Sequence, residues 1–436
     1  MSFDDRHLHA PLDPATAERL AAQGLRYALV GDDDAAIDAW SRADLRGFHA
    51  DAPDPADSLT ARRRDWYRRE RLTGVWRPGD RLEPVATTSS WLARLTVPGP
   101  AELDLWSISS VTVDTTHLGR GYARALLEGE LRTAAALGIP AAGLTVSEST
   151  LYGRYGFGIA AQAASVEIDT TRVRWAGPEP DLELEFVDVE TAAADFERLH
   201  AERVAATAGD VSTRPTSWRR ITGADDANGA ATRKRRFVRA LRGDEAVGIV
   251  AYTLTESDHD FTHHTLDVEA LAAPGRDAAA ALWRFVVGQP LVRKVIAGLL
   301  ALDDPLRWWL GDWRGAIVRV VDHHWLRILD VPAALAARAY AGEGPLGLRV
   351  RDSLGFCEGD YLLESDAAGR AAVEAVRALP AGTPTIELDA ATLASMWLGA
   401  FSPSALAAAG RTDGDGVDAA DRLFAVGRAP LLSTWY

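Results

Sequence analysis

At 436 residues the chain exceeds what one hydrophobic core fills, so two or three domains are expected, and 47% hydrophobic with 25% charged residues is ordinary for folded protein. A single cysteine, Cys357, excludes an intramolecular disulfide and a cysteine-based zinc site. The net charge of −15 argues against nucleic acid as a partner and favours cationic small molecules, and no apolar run reaches the ~20 residues of a bilayer span.

The opening Met1-Ser2-Phe3-Asp4-Asp5-Arg6 is acidic with no apolar stretch behind it, unlike a secretion signal, so a cytoplasmic protein with no membrane partner is expected. Thr16 to Val30 reads as a helix, and Gly31-Asp32-Asp33-Asp34 precedes a second from Ala35 to Arg42. Asp51 to Asp57, with Pro53 and Pro55, reads as a loop. Ala61 to Leu72 carries four arginines in its first eight residues and reads as a solvated helix or the approach to a strand. Strands over Thr73–Trp76 and Ser89–Val97 follow.

The densest information lies between Ser109 and Gly158. Ser110-Val111-Thr112-Val113-Asp114 alternates polar and β-branched residues, as a half-buried strand does. In His117-Leu118-Gly119-Arg120-Gly121-Tyr122-Ala123, two glycines sit where the backbone must turn sharply and lie open. Ala123, Leu126, Leu127, Leu131 and Ala134 then recur at helical spacing until Gly138 and Pro140. A helix that starts at the glycines offers unpaired N–H groups and a positive dipole end, a seat for a pyrophosphate with Arg120 or Arg124 beside it. Gly-x-Gly before a helix is also common without any ligand. Ala142 to Ser147 reads as a short buried strand, Tyr152-Gly153-Arg154-Tyr155-Gly156-Phe157-Gly158 as an aromatic glycine-rich loop, and Ala164 to Ile168 as a further strand.

Beyond a linker at Pro178-Glu179-Pro180, strands over Leu182–Val187, Phe237–Leu241, Ala246–Leu254 and Thr265–Ala273 and a helix over Arg276–Val287 echo the first part. Where the phosphate turn should recur stands Ala273-Pro274-Gly275-Arg276-Asp277, whose proline and aspartate argue against a second cofactor site. The third part opens with a strand at Trp325–Leu329, then a helix from Val331 to Tyr340. Strands at Leu346–Val350, Asp360–Glu364 and Thr385–Leu388 follow, then a helix capped by Asp389 to Leu398, and helical pieces at Ala405–Ala409 and Asp418–Ala425. The tail Pro430 to Tyr436 is apolar and aromatic, unlike a fraying end. His263-His264 and His323-His324 lack the spacing of a metal site, so no metal is expected. Trp308-Trp309 and Trp313 suit packing between domains.

Strand, glycine-rich turn, helix, strand and Tyr152-Gly153-Arg154-Tyr155-Gly156-Phe157 resemble the core of the Gcn5-related N-acetyltransferase (GNAT) superfamily. Ser147-Glu148 followed by Leu151 to Gly158 is similar to its Eis (enhanced intracellular survival) branch, as are Ala281-Leu282-Trp283-Arg284, Asp303-Asp304-Pro305-Leu306 and Trp325 to Leu335. The resemblance implies an α/β (α+β) chain with three parts. They are a catalytic GNAT domain over 1–173, a degenerate second GNAT domain over 174–315, and a sterol-carrier-protein-like domain over 316–436 whose tail returns to the first domain.

The same resemblance implies an acetyl-CoA-dependent N-acetyltransferase acting on a primary amine of an aminoglycoside, a polyamine or a lysine. It gives the coenzyme to Val111, Thr112, Val113, Gly119, Arg120, Gly121, Tyr122, Ala123, Arg124, Ser147 and Glu148. It makes Tyr152 the general acid and the terminal carboxylate of Tyr436 the general base, and it implies a homohexamer. From the residues alone, Tyr152 could equally be a core aromatic beside Phe157, and the tail could dock without catalysing. Two departures stand out: Leu118 occupies a place usually held by Arg or Gln, and the bulky Trp435 is the penultimate residue. The alternative function is a non-catalytic ligand- or lipid-binding protein that retains a relic GNAT domain.

Overall fold

The computed structural model describes residues 5–50, 61–79, 82–214, 216–226, 229–258 and 260–436. The loop expected over Asp51–Asp57 lies outside them. Twelve strands form one sheet: β1 Arg26–Leu29, β2 Arg71–Trp76, β3 Ala86–Thr96, β4 Glu102–Val113, β5 Ala141–Leu144, β6 Gly158–Asp169, β7 Glu183–Val187, β8 Arg236–Arg242, β9 Glu245–Thr255, β10 His264–Ala272, β11 Val292–Leu300 and β12 Ala316–Ile328. Their spatial order is β1-β2-β3-β4-β5-β12-β6-β11-β10-β9-β8-β7.

That order contains a repeat. β1 to β4 run antiparallel with β5 parallel to β4, and β7 to β10 run antiparallel with β11 parallel to β10. The last strand of each repeat crosses over: β6, from the first, pairs with β11, and β12, from the second, pairs with β5. β6 and β12 pair with each other at the centre. Residues Trp325 to Leu329, expected to open the third part, are therefore mostly the end of β12, with Trp325 opposite Leu144 and Ile328 opposite Ala141.

Five further strands make a second sheet: β13 Gly344–Arg351, β14 Gly359–Ser365, β15 Ala371–Val376, β16 Thr385–Asp389 and β17 Thr412–Asp413. Their order is β15-β14-β13-β16-β17, with β13 and β16 parallel. The helix Ala390–Trp397, capped by Asp389 through a 2.7 Å bond from Thr392 N, packs on β6 and β12. The approach at β6 is so close that a Cβ on Gly158 would fall 1.9 Å from the Ala391 carbonyl oxygen. Next to it a fully buried Arg327 on β12 pairs with Asp352 at 2.5 Å. Burial alone would raise the Asp352 carboxyl, but the guanidinium, together with the Cys357 and Leu354 N–H groups, outweighs it and holds the group below the usual carboxylate range. One apolar cluster accordingly runs from Leu95, Leu105 and Leu326 to Leu348, Leu388 and Trp397.

Several elements differ from expectation for identifiable reasons. Thr16 to Val30 is not one helix: Pro14–Ala21 is helical, Gly24 turns the chain at φ +73°, and β1 joins the sheet edge opposite β2. The Tyr152 loop is wound into a helical turn, Ser149–Tyr152, before Gly156 at φ +80° releases it into β6. Trp308 is 75% exposed and pairs edge-on with Trp313, so of these indoles Trp309 alone is buried, against Trp175.

Candidate active site

β4 and β5 pair only from Leu105–Ser107 to Ala141–Gly143 and then part. β4 carries the break: Ser110 takes φ +54°, and the register against β3 slips between Thr87 and Ser89. Beyond it Val111, Thr112 and Val113 reach the strand end with no strand partner on the β5 side among the described residues. At the end of the gap Gly119 and Gly121 adopt φ +75° and +79°, conformations a side chain resists. Gly121 is the N-cap of the helix Tyr122–Ala136 and lends no side-chain cap, and the first turn holds no acid. Its N–H groups thus face outward beside exposed Arg120 and Arg124.

A Cβ at Gly119 would meet nothing within 4 Å, so the turn opens on free space, and the residues present fit a pyrophosphate-bearing coenzyme. Arg124 also holds Glu128 at 2.6 Å. Tyr122 is buried in the core, so only its backbone can serve a ligand, and Ala123 follows it in the first turn. Ser147 and Glu148 are exposed where β5 gives way to the Tyr152 turn, and Leu118 points outward at 63% exposure.

Tyr152 lies edge-on to Phe157 (centroids 6.2 Å, 77°) in an apolar cluster that also holds Ile108, Leu144, Tyr155 and Trp325. Val111, Val146 and Tyr436 pack against the same cluster. Burial raises the Tyr152 phenol above its ordinary value, and Tyr155 and Glu148 add to the shift. The hydroxyl therefore stays protonated at neutral pH.

The end of the chain runs inward. Tyr436 stacks edge-on to Trp91 (5.6 Å, 88°), and its hydroxyl lies 2.7 Å from His324 Nε2. His324 Nδ1 faces the Gly209 carbonyl at 3.0 Å and must donate to it, so Nε2 is bare and accepts the Tyr436 proton. Burial drives His324 down to about 3 and raises the Tyr436 phenol, so both stay neutral. His323 reaches the tail as well, donating from Nε2 to the Thr434 carbonyl at 2.9 Å and meeting the Trp435 ring. Neighbouring histidines on a regular strand would face apart, but β12 slips register on both sides of His324. Both histidines thus bond to the tail.

Thr434 to Tyr436 line a small pocket of about 40 Å³ with Trp66, Trp91 and Arg214. Arg214 is buried, ion-paired to Glu70, and lies over both indoles at 3.8 and 4.2 Å. Arg220 also lies over Trp66, at 4.6 Å. None of these belongs to a recognisable motif, and Arg214 and Arg220 come from the second repeat. A larger cavity, about 680 Å³, lies where β10 and β11 part. Arg203 enters that region and donates to the Leu271 carbonyl at 3.1 Å.

Residues 32–160 and 209–328 each match a GNAT acetyltransferase domain, and residues 331–433 match a sterol carrier protein domain. An uncharacterised N-acetyltransferase of Streptomyces griseus is 32% identical over 408 residues, 90% of this chain and 95% of its own. The N-acetyltransferase Eis of Mycobacterium tuberculosis is 31% identical over 331 residues, 73% of this chain and 76% of its own. The crystal structure of Eis1 from Mycobacterium abscessus superposes with a TM-score of 0.77 at 26% identity, covering 94% of this chain and 100% of the other. Split strands, a glycine turn at an uncapped helix start and these relatives converge: the chain belongs to the Eis-like N-acetyltransferases of the GNAT superfamily.

Proposed function

We propose that the chain moves an acetyl group from acetyl-CoA to a primary amine of an aminoglycoside, a polyamine or a lysine, with Tyr152 as general acid and the terminal carboxylate of Tyr436 as general base. The observation that carries the reading is the inward course of the tail, which packs Tyr436 against the cluster that contains Tyr152. The thioester supplies an activated acyl group. Val111 to Val113 offer strand edge to its pantetheine, and Gly119 to Arg124, with Ser147 and Glu148, hold the nucleotide end. The carboxylate takes the proton that the amine releases as the C–N bond forms. The Tyr152 hydroxyl donates its proton to the sulfur as the C–S bond breaks. The net charge of −15 suits a cationic acceptor.

Appending a few residues after Tyr436 is expected to abolish thiol release with every amine in a panel while coenzyme A still binds. Full turnover in the extended chain removes the carboxylate from the reaction. A cytoplasmic homohexamer completes the proposal. Exposed Ile317 and Val321, on one face of β12, give it apolar surface to bury, and sedimentation of the intact chain tests it.

A further inference from the structure

One buried carboxylate anchors the tail at Ser433. Asp210 is fully buried, and its Oδ1 accepts from Ser433 N at 2.9 Å while Oδ2 accepts from Ser433 Oγ at 2.7 Å. Because that hydroxyl gives its proton to Asp210, it accepts from His200 Nε2 at 3.0 Å. Asp210 is itself fixed by backbone on both sides. Gly209 N donates to Thr96 O (2.8 Å), Thr96 N to Asp210 O (3.1 Å), and Ser212 N to Arg94 O (2.9 Å), so this loop of the second repeat is stitched to the end of β3. The preceding Gly209 lies against the tail, where a Cβ would come 3.2 Å from Leu431 N, and its carbonyl receives the His324 proton. One short loop therefore joins β3, β12 and the tail.

We infer that Asp210, acting through Ser433, is a positioning residue that sets where the last residue of the chain sits in the small pocket beside Trp91 and Arg214. This rests on the reading of the Tyr436 carboxylate as base. A free tail would spread its carboxylate over many positions, and an ångström of misplacement costs about a hundredfold in rate. A buried carboxylate that accepts both donors of one serine fixes the backbone three residues from the end.

The test uses the full chain with Ser433→Ala, which keeps the backbone bond and loses the hydroxyl, and Ser433→Thr, which restores one. Ser433→Ala is expected to lower kcat by about tenfold to a hundredfold with the KM for acetyl-CoA unchanged, and Ser433→Thr to recover most of it. Carboxypeptidase should trim the alanine variant faster than the native chain at equal thermal midpoint, which a general loss of stability would not produce. Unchanged kcat in Ser433→Ala, with the extended chain inactive, overturns the inference and leaves the carboxylate reading standing. An active extended chain removes that reading instead.

Discussion

Around the tail, burial favours the uncharged forms of the histidines and tyrosines. It lowers His200, His323 and His324 and raises Tyr152 and Tyr436. For Tyr152 this is the form an acid needs. Tyr152→Phe is expected to lower kcat by about a hundredfold or more with coenzyme affinity unchanged, and the native pH–rate profile to show no loss from this group below about pH 10. Equal kcat in the phenylalanine variant would return Tyr152 to the role of a core aromatic. For His324 the consequence is in stability. Folded, it holds no proton until about pH 3. Unfolded, it takes one below about pH 6.5. Its contribution is flat above pH 6.5 and falls between there and about 3, by roughly 1.4 kcal/mol per pH unit. His324→Gln should flatten that part of the curve relative to the native chain when denaturant midpoints are compared at pH 7 and pH 5. Parallel curves would show that His324 is not the group being titrated.

Elements were legible where a local rule sufficed. The helices over Arg276–Val287 and Tyr122–Ala136 are marked by apolar period and terminal glycines, and they lie where the pattern put them. The pattern failed at Thr16–Val30, because a run of alanine and leucine does not reveal that Gly24 turns left-handed and that Tyr27 is needed at a sheet edge. The small strand β15, Ala-Ala-Val-Glu-Ala-Val, carries no strong signal of its own and depends on β14. Site residues divide the same way. Gly119, Gly121 and Tyr152 sit in a recognisable string, whereas Asp210, Arg214 and His324 meet the tail across more than a hundred residues with no spacing to betray them. Contacts between elements also predict sensitivity. Gly158→Ala puts a methyl group into the Ala391 carbonyl, so the helix Ala390–Trp397 must move off β6. The expected result is a loss of about 1–3 kcal/mol, read as a lowered thermal midpoint. Gly138→Ala, where a Cβ meets nothing, pays only for its φ of +71° and controls for strain alone.

At the scale of the molecule, exchange of β6 and β12 turns two repeats into one cooperative sheet and places the second repeat inside the first one's site. β12 brings His323 and His324 to the tail, and the loop after the helix Val189–Ala206 brings Asp210 and Arg214. On the proposed function, the second repeat thereby serves the site of the first. The exchange also predicts that the first repeat cannot stand alone. A chain stopped at residue 173 keeps β1 to β6 but loses β12, the neighbour of β5, and β11, the neighbour of β6. Both edges of the twelve-residue β6 would open to solvent, the arrangement that drives edge-to-edge association. Such a fragment is expected to aggregate and to bind no coenzyme A, while the whole chain unfolds in one transition that tryptophan fluorescence and far-ultraviolet circular dichroism report together. β6 has one way to rescue the fragment: it could swing into the place of β12 beside β5, as in a domain swap reversed. The fragment lacks the helix Ala390–Trp397 that seals Gly158 in the whole chain, so nothing from that helix holds β6 in its native place. A soluble fragment that binds coenzyme A as tightly as the whole chain would show that β6 has made that move and that the exchange is not required for the cradle.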